Sequence, residues 1–197
     1  MLVSLLKSDP RMRFEGRTVY IRMPQTSDWN QWSQLREKSR DFLTPWEPIW
    51  PSDDLTKAAF GRRLRRYTQS VRQGSLYPFF VFTKQEHRLV GGITLTNVRR
   101  GTVQGCSIGY WVGEQHSRKG YMSDTLQVAL TFAFDVLGLH RVEAACLPEN
   151  QPSRRLLIKS GFTEEGYARD YLKICGAWRD HVRFGILASD SRPVRRS

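Results

Sequence analysis

Residues 17–23, RTVYIRM, alternate apolar and polar side chains and favour β-branched types, the pattern of a strand with one buried face. The period then changes. TSDWNQWSQLREKSRDFL opens on Thr26 and Ser27, residues suited to an N-cap, and repeats apolar positions at Trp29, Trp32, Leu35, Phe42 and Leu43, which predicts a first helix. Pro45, Pro48 and Pro51 in TPWEPIWPSDD forbid regular helix and predict an extended loop. Ser52, Asp53 and Asp54 are expected to cap a second helix, in which Phe60, Leu64, Tyr67 and Val71 share a sector of about 60° and Gly74 marks the end.

Three apolar runs follow, YPFFVFT, RLVGGITLTNV and GCSIGYWVG, separated by KQEH and RRGTVQ; links this short predict antiparallel neighbours. Leu126, Leu130, Ala133, Phe134 and Leu137 then recur at helical spacing until Gly138. RVEAACL reads as a strand, NQPSRRLLIKSGF as a short helix closed by Gly161, and YARDYLKI with WRDHVRFGIL as a final hairpin. The predicted order is β α α β β β α β α β β, an α/β (α+β) fold whose mixed, mostly antiparallel seven-stranded sheet carries helices on both faces. Residues 15–188 form one domain in this reading, and 1–14 and 189–197 are expected to be flexible termini.

Composition narrows the class. A length of 197 residues suits one core, and no apolar run reaches the ~18 residues a membrane span needs, so a soluble cytoplasmic protein without membrane contact is expected. Cys106, Cys146 and Cys175 are odd in number and widely spaced, which fits neither a disulfide framework nor a zinc site and predicts core or near-core thiols. His87, His116, His140 and His181 are scattered, and no metal is expected. A formal net charge of +12 favours polyanionic partners or phosphate-bearing ligands without choosing between them. The densest cluster, Arg62, Arg63, Arg65, Arg66 and Arg72, is either a solvated helix face or a docking face for RNA or a ribosome.

One junction stands out. The strand GCSIGYWVG passes into a helix through QHSRKGYMSDTL. A helix start leaves four N–H groups without intrahelical partners at the positive end of the macrodipole, so Arg118, Lys119 and these donors either face an anion or form a plain solvated connection.

The segments FLTPWEP, GYW, RKGYM, LPENQPSRRLLIKSGF, EEGYARDYL and WRDHV, in that order, resemble the GNAT N-acetyltransferase family over about residues 15–188. Within it they resemble the RimJ/RimL branch of ribosomal-protein-alanine N-acetyltransferases, the last three being most like the RimJ type. The resemblance implies acetyl-CoA as co-substrate, with its pyrophosphate wrapped by Arg118, Lys119, Gly120, Tyr121, Met122 and Ser123. The family pattern places Gln or Arg three residues before the central glycine and Gly or Ala two residues after it. Gly120 matches, whereas Ser117 and Met122 depart. Gly109 is expected to be a bulge that opens a slot for the pantetheine arm along Tyr110, Trp111 and Val112, freeing an N–H near Tyr110 for the developing oxyanion. By the same resemblance Asn150 contacts the cofactor arm, and Ser153 is the general acid for the departing thiolate, with Tyr110 and Tyr171 as competitors. The alternative is that Asn150 merely caps the helix after it.

Many family members carry a Glu on the fourth strand, where this chain has Cys106 and Ser107. Glu47 and Glu149 are the remaining candidate bases. An α-amine titrating near 8 is roughly a tenth neutral at pH 7 and a lysine near 10.4 only about 0.04% neutral, so a site without a strong base suits N-terminal amines. The implied acceptor is a protein N-terminus, that of a ribosomal protein, with ribosome or rRNA contact through the basic face and a monomeric or homodimeric enzyme. A small amine such as an antibiotic or polyamine is the alternative acceptor, and a non-catalytic RNA- or ribosome-binding protein the alternative class.

Overall fold

The computed structural model describes residues 12–191. Strands β1 (Arg13–Glu15) and β2 (Val19–Arg22) lead into a single 3-10 turn and helix α1 (Trp29–Lys38), followed by the short α2 (Arg40–Leu43). After the proline loop come α3 (Lys57–Gln73) and the meander β3 (Tyr77–Thr83), β4 (Leu89–Arg99) and β5 (Gly105–Val112). Helix α4 (Tyr121–Thr131) widens into a π turn at Phe132–Val136. Then β6 (Arg141–Cys146), α5 (Gln151–Lys159), β7 (Thr163–Ile174) and β8 (Ala177–Leu187) complete the chain. The eight strands lie in the order β1-β2-β3-β4-β5-β6-β8-β7, antiparallel throughout except for β5 beside β6.

Side-chain alternation divides the core between two faces. On one, Val19, Ile21, Phe79, Val81, Ile93, Cys106, Ile108 and Val142 meet Leu126, Ala129 and Leu130 of α4 and Leu157 of α5. On the other, Tyr20, Phe80, Phe82 and Leu89 meet Trp32 and Leu35 of α1 and Phe60 of α3. Strand β3 lies between helices on both sides and is buried at all seven positions, which is why its sequence is continuously apolar rather than alternating.

Several expectations are corrected. The sheet has eight strands, not seven, because Arg13–Glu15, placed largely in a loose terminus, pair with Tyr20–Arg22. The remainder of that expectation, residues 1–11 and 192–197, lies outside the described residues. Thr56, not residues 52–54, caps α3 by accepting from Ala59 N at 3.2 Å; Asp53 and Asp54 instead bind Arg62 and Arg63, so part of the arginine cluster is engaged within the fold. The first helix breaks at buried Ser39, whose hydroxyl accepts from Glu114 N at 3.0 Å and so ties it to the turn before α4. Cys106 and Cys146 are buried as expected, but Cys175 is exposed in the β7–β8 turn. No helix among the described residues is long and apolar enough to cross a membrane.

Candidate active site

Strands β5 and β6 run together for three residue pairs only, Gly105 with Arg141, Cys106 with Val142 and Ser107 with Glu143, and then part. From Ile108 to Val112, β5 keeps β4 on one side and no strand on the other, which leaves a slot through the sheet. Gly113 N bonds Val90 O at 2.9 Å, so by strand alternation the backbone groups of Trp111 and Gly109 also turn toward β4, while those of Ile108, Tyr110 and Val112 point into the slot. A free backbone N–H at Tyr110, predicted above, follows from this register.

The parting does not arise from a bulge at Gly109. Thr94 pairs with Gly109 and Ile93 with Tyr110 in unbroken register, and the irregularity in β4–β5 lies between Thr96 and Arg99. Gly91 and Gly92 instead set how closely β4 and β5 approach: a Cβ on Gly91 would lie 2.3 Å from the Trp111 carbonyl oxygen.

The Tyr110 side chain reaches α5, where its hydroxyl and the Ser153 hydroxyl lie 2.8 Å apart. Burial pushes the Tyr110 phenol well above its ordinary pKa, with the Ser153 hydrogen bond pulling more weakly the other way, so the phenol stays protonated and either hydroxyl can donate to the other. The Cys146 thiol is raised chiefly by burial, with Ser153 pulling more weakly the other way. Asn150 is the helix cap, its Oδ1 accepting from Ser153 N at 3.1 Å, which fixes the serine within the first turn of α5. Its Nδ2 donates to no described residue.

Between β5 and α4 the backbone takes left-handed φ values at Arg118 (59°) and Gly120 (80°), and α4 begins without a side-chain cap. Six consecutive N–H groups, Arg118 to Ser123, find no acceptor among the described residues. This is a concave set of donors at a positive helix end, suited to a phosphate or pyrophosphate. Arg118 and Lys119 are exposed beside it, and His116 is buried beneath it against Tyr121. Met122 turns its side chain into the core, so its departure from the family pattern leaves only its amide for a ligand. The turn is anchored from behind by Asp124, which accepts from Arg17 N, Thr18 N and Oγ1, and Val19 N at 2.7 to 3.2 Å.

The slot between the parting parallel strands thus ends beside the uncapped start of α4. The model of the acetyltransferase (GNAT) domain matches residues 18–163. The chain belongs to the GNAT acetyltransferase family. A GNAT relative named as the probable N-acetyltransferase YjcK of Bacillus subtilis is 35% identical over 89% of this chain and 97% of its own length. The [ribosomal protein uS5]-alanine N-acetyltransferase of Escherichia coli is 32% identical over 94% of this chain and 96% of its own. RimJ of Mycobacterium smegmatis, solved in complex with CoA-disulfide, superposes with a TM-score of 0.83 at 32% identity, covering 90% of this chain and 86% of that one. This GNAT protein is therefore an N-acetyltransferase of the RimJ/RimL type.

The opposite face of the GNAT sheet holds the remaining candidates. Trp111 projects there, under the Arg36 guanidinium at 5.0 Å, and its backbone faces β4; of the three slot residues named from sequence, Tyr110 and Val112 line the slot with backbone and Trp111 does not. Both Glu47 oxygens accept from Arg36, at 2.7 and 2.6 Å, and one also accepts from Trp50 Nε1 at 2.7 Å. The Glu47 carbonyl accepts from Cys175 N at 2.9 Å, fastening the proline loop to the β7–β8 hairpin. A carboxylate held this way positions a loop and has both oxygens engaged by Arg36 and Trp50. Glu149 is likewise paired, with Arg179. Tyr171 lies on β7 beside His181, with ring centroids 5.6 Å apart, away from the Tyr110–Ser153 pair.

Proposed function

We propose that this enzyme transfers the acetyl group of acetyl-CoA to the N-terminal amine of a protein by direct attack on the thioester, and that the acceptor is a ribosomal protein. The observation that carries the reading is the hydroxyl pair of Tyr110 and Ser153, 2.8 Å apart beside slot-facing backbone, with the uncapped start of α4 at the slot's other end. The amides of Arg118 to Ser123 suit the pyrophosphate, with Arg118 and Lys119 adding charge, and in this reading the Asn150 amide, whose Oδ1 caps the helix, offers its Nδ2 to the arm. Tyr110 N–H is the donor for the developing negative oxygen. Ser153, polarised through Tyr110, gives its proton to the departing sulfur. The ribosomal acceptor rests on the activity for which the Escherichia coli relative is named and on the net charge of +12, which favours approach to rRNA. A soluble cytoplasmic enzyme follows from that acceptor.

The test is positional. Labelled acetyl-CoA is offered with a peptide bearing a free N-terminus and with the same peptide N-blocked and carrying only lysine amines. Acetylation on the first residue of the free peptide is expected, at a rate far above that of the blocked one. Equal or faster labelling of lysine overturns the Nα assignment, and labelling of small amines alone moves the enzyme to the other acceptor class.

A further inference from the structure

With Glu47 and Glu149 both held in ion pairs, and Cys106 and Ser107 where a strand carboxylate would stand, no carboxylate considered above is free to take the proton that an attacking amine must lose. We infer that His181 takes it. This rests on the acceptor reading above. His181 lies on β8 one residue beyond the pair of Cys146 with Val182, at the end of β6 where β5 has already parted and the slot is open. It is 3% exposed. Its Nδ1 is 2.9 Å from the carbonyl oxygen of Arg179, and a carbonyl only accepts, so in the neutral ring Nδ1 carries the hydrogen and Nε2 presents its lone pair. Nε2 has no hydrogen-bond partner among the described residues, and Tyr171 meets the ring edge-on at 5.6 Å.

By strand alternation His181 shares its face of the sheet with Arg183 and Ala145 on the paired strands, and so with Ser107, Gly109 and Trp111 of β5. Gly109 leaves that face open, since a Cβ there would meet nothing within 4 Å. The amine thus arrives on the face opposite Tyr110 and Ser153. Tyr171 and Arg183, whose guanidinium lies over the Tyr171 ring at 5.8 Å, face His181 from β7 and β8. The Arg179–Glu149 and Arg36–Glu47 pairs flank the same face, and Asp180 is turned to Tyr167 and to Asp170 N on the other. The nitrogen forms its bond to the carbonyl carbon as the C–S bond breaks; the nitrogen's proton passes to His181 Nε2, and the sulfur receives one from the Ser153–Tyr110 pair.

The decisive variants are His181→Asn, which keeps a short amide donor for the Arg179 carbonyl but has nothing at the Nε2 position, and His181→Ala. Single-turnover acetylation of the free peptide is followed against pH, with acetyl-CoA affinity and melting temperature measured on the same samples. His181→Asn should slow the chemical step at pH 7 at least ten-fold, leave acetyl-CoA affinity within about three-fold, and move the acidic limb of the pH profile to the peptide amine's own titration. Added imidazole should restore part of the rate in His181→Ala. An unchanged rate and profile in folded His181→Asn, or loss of rate in both variants in step with melting temperature and without imidazole rescue, overturns the proposal. Mapping the label separates the two readings: acetyl on lysine sinks the acceptor assignment, whereas an unslowed His181→Asn still labelling the first residue sinks His181 alone.

Discussion

Removing the Ser153 hydroxyl separates this residue's place in the helix start from its proposed role as acid. The Ser153 N–H is held by Asn150 and survives the change to Ala, so the cap is retained. What goes is the partner of a buried phenol. Leaving the Tyr110 hydroxyl unpaired costs on the order of 1–3 kcal/mol of stability, or a few degrees in melting temperature for a domain of this size. The effect on rate should be larger in kind. A positioned acid contributes about 10²–10⁴-fold, and because a thiolate is a fair leaving group the low end applies, so Ser153→Ala should lower kcat by about ten-fold or more. Acetyl-CoA affinity should stay within a few-fold, since the lost interaction strengthens only as the sulfur gains charge. Tyr110→Phe is the companion. If the two hydroxyls relay one proton, the double variant should be no slower than the slower single variant, whereas independent contributions multiply. Pre-steady-state kinetics with chemistry rate-limiting provide the assay. An unchanged kcat in Ser153→Ala, or a loss matched by equal losses in affinity and stability, returns the serine to its place in the helix start and refutes the acid.

Two further outcomes test the turn and its anchor. Gly120→Pro cannot adopt the φ of 80° seen there and removes an N–H, so a folded variant should lose acetyl-CoA affinity by about 10–100-fold in calorimetry, and unchanged affinity would discard the phosphate assignment. Although burial opposes ionisation, the four donors from Arg17, Thr18 and Val19 hold the Asp124 carboxyl below its usual range; its contribution is therefore complete above that range and lost as pH falls through the depressed value. Asp124→Ala should lower stability by about 2 kcal/mol at pH 6 in denaturant titrations, with the gap from the parent narrowing below pH about 4; a gap that is absent or independent of pH removes this role.

The sheet was legible because its strands announce themselves: YPFFVFT appears in the structure as Tyr77–Thr83 without a residue's error. β1 was missed because three residues of an edge strand, with only Phe14 turned toward the core, carry no usable period. Asp53 and Asp54 read as helix caps because acidic residues before an arginine run favour that role locally; their actual partners are side chains nine residues away, beyond any capping pattern. The slot was implied by the family resemblance, but its expected cause was not the one found. A glycine within a strand is ambiguous between a bulge and open space, and only the register assigns Gly109 to the latter. Glu47 looked free because its pairing with Arg36, eleven residues earlier, depends on how the proline loop folds back. His181 gave no signal at all, since a lone histidine in WRDHV gains meaning only from the carbonyl at its Nδ1 and the parted strand beside it.

Strand geometry also constrains which group meets the developing oxyanion. Consecutive side chains leave a strand on opposite faces, and here Tyr110 goes to the face of α4 and α5 while Trp111 goes to that of α1. A thioester lying in the gap between β5 and β6 has its reacting carbon near the plane of the sheet, where only main-chain atoms project laterally. In the proposed reaction the oxyanion donor is then a backbone N–H, and the register leaves those of Ile108, Tyr110 and Val112 turned to the gap. The same geometry separates the two proton transfers. In the proposed mechanism the side chains of one face serve the sulfur and those of the other the amine, so the hydroxyl pair and the imidazole would act on one carbonyl carbon without neutralising each other, and substitutions on the two faces should combine independently in rate even though those within the hydroxyl pair do not.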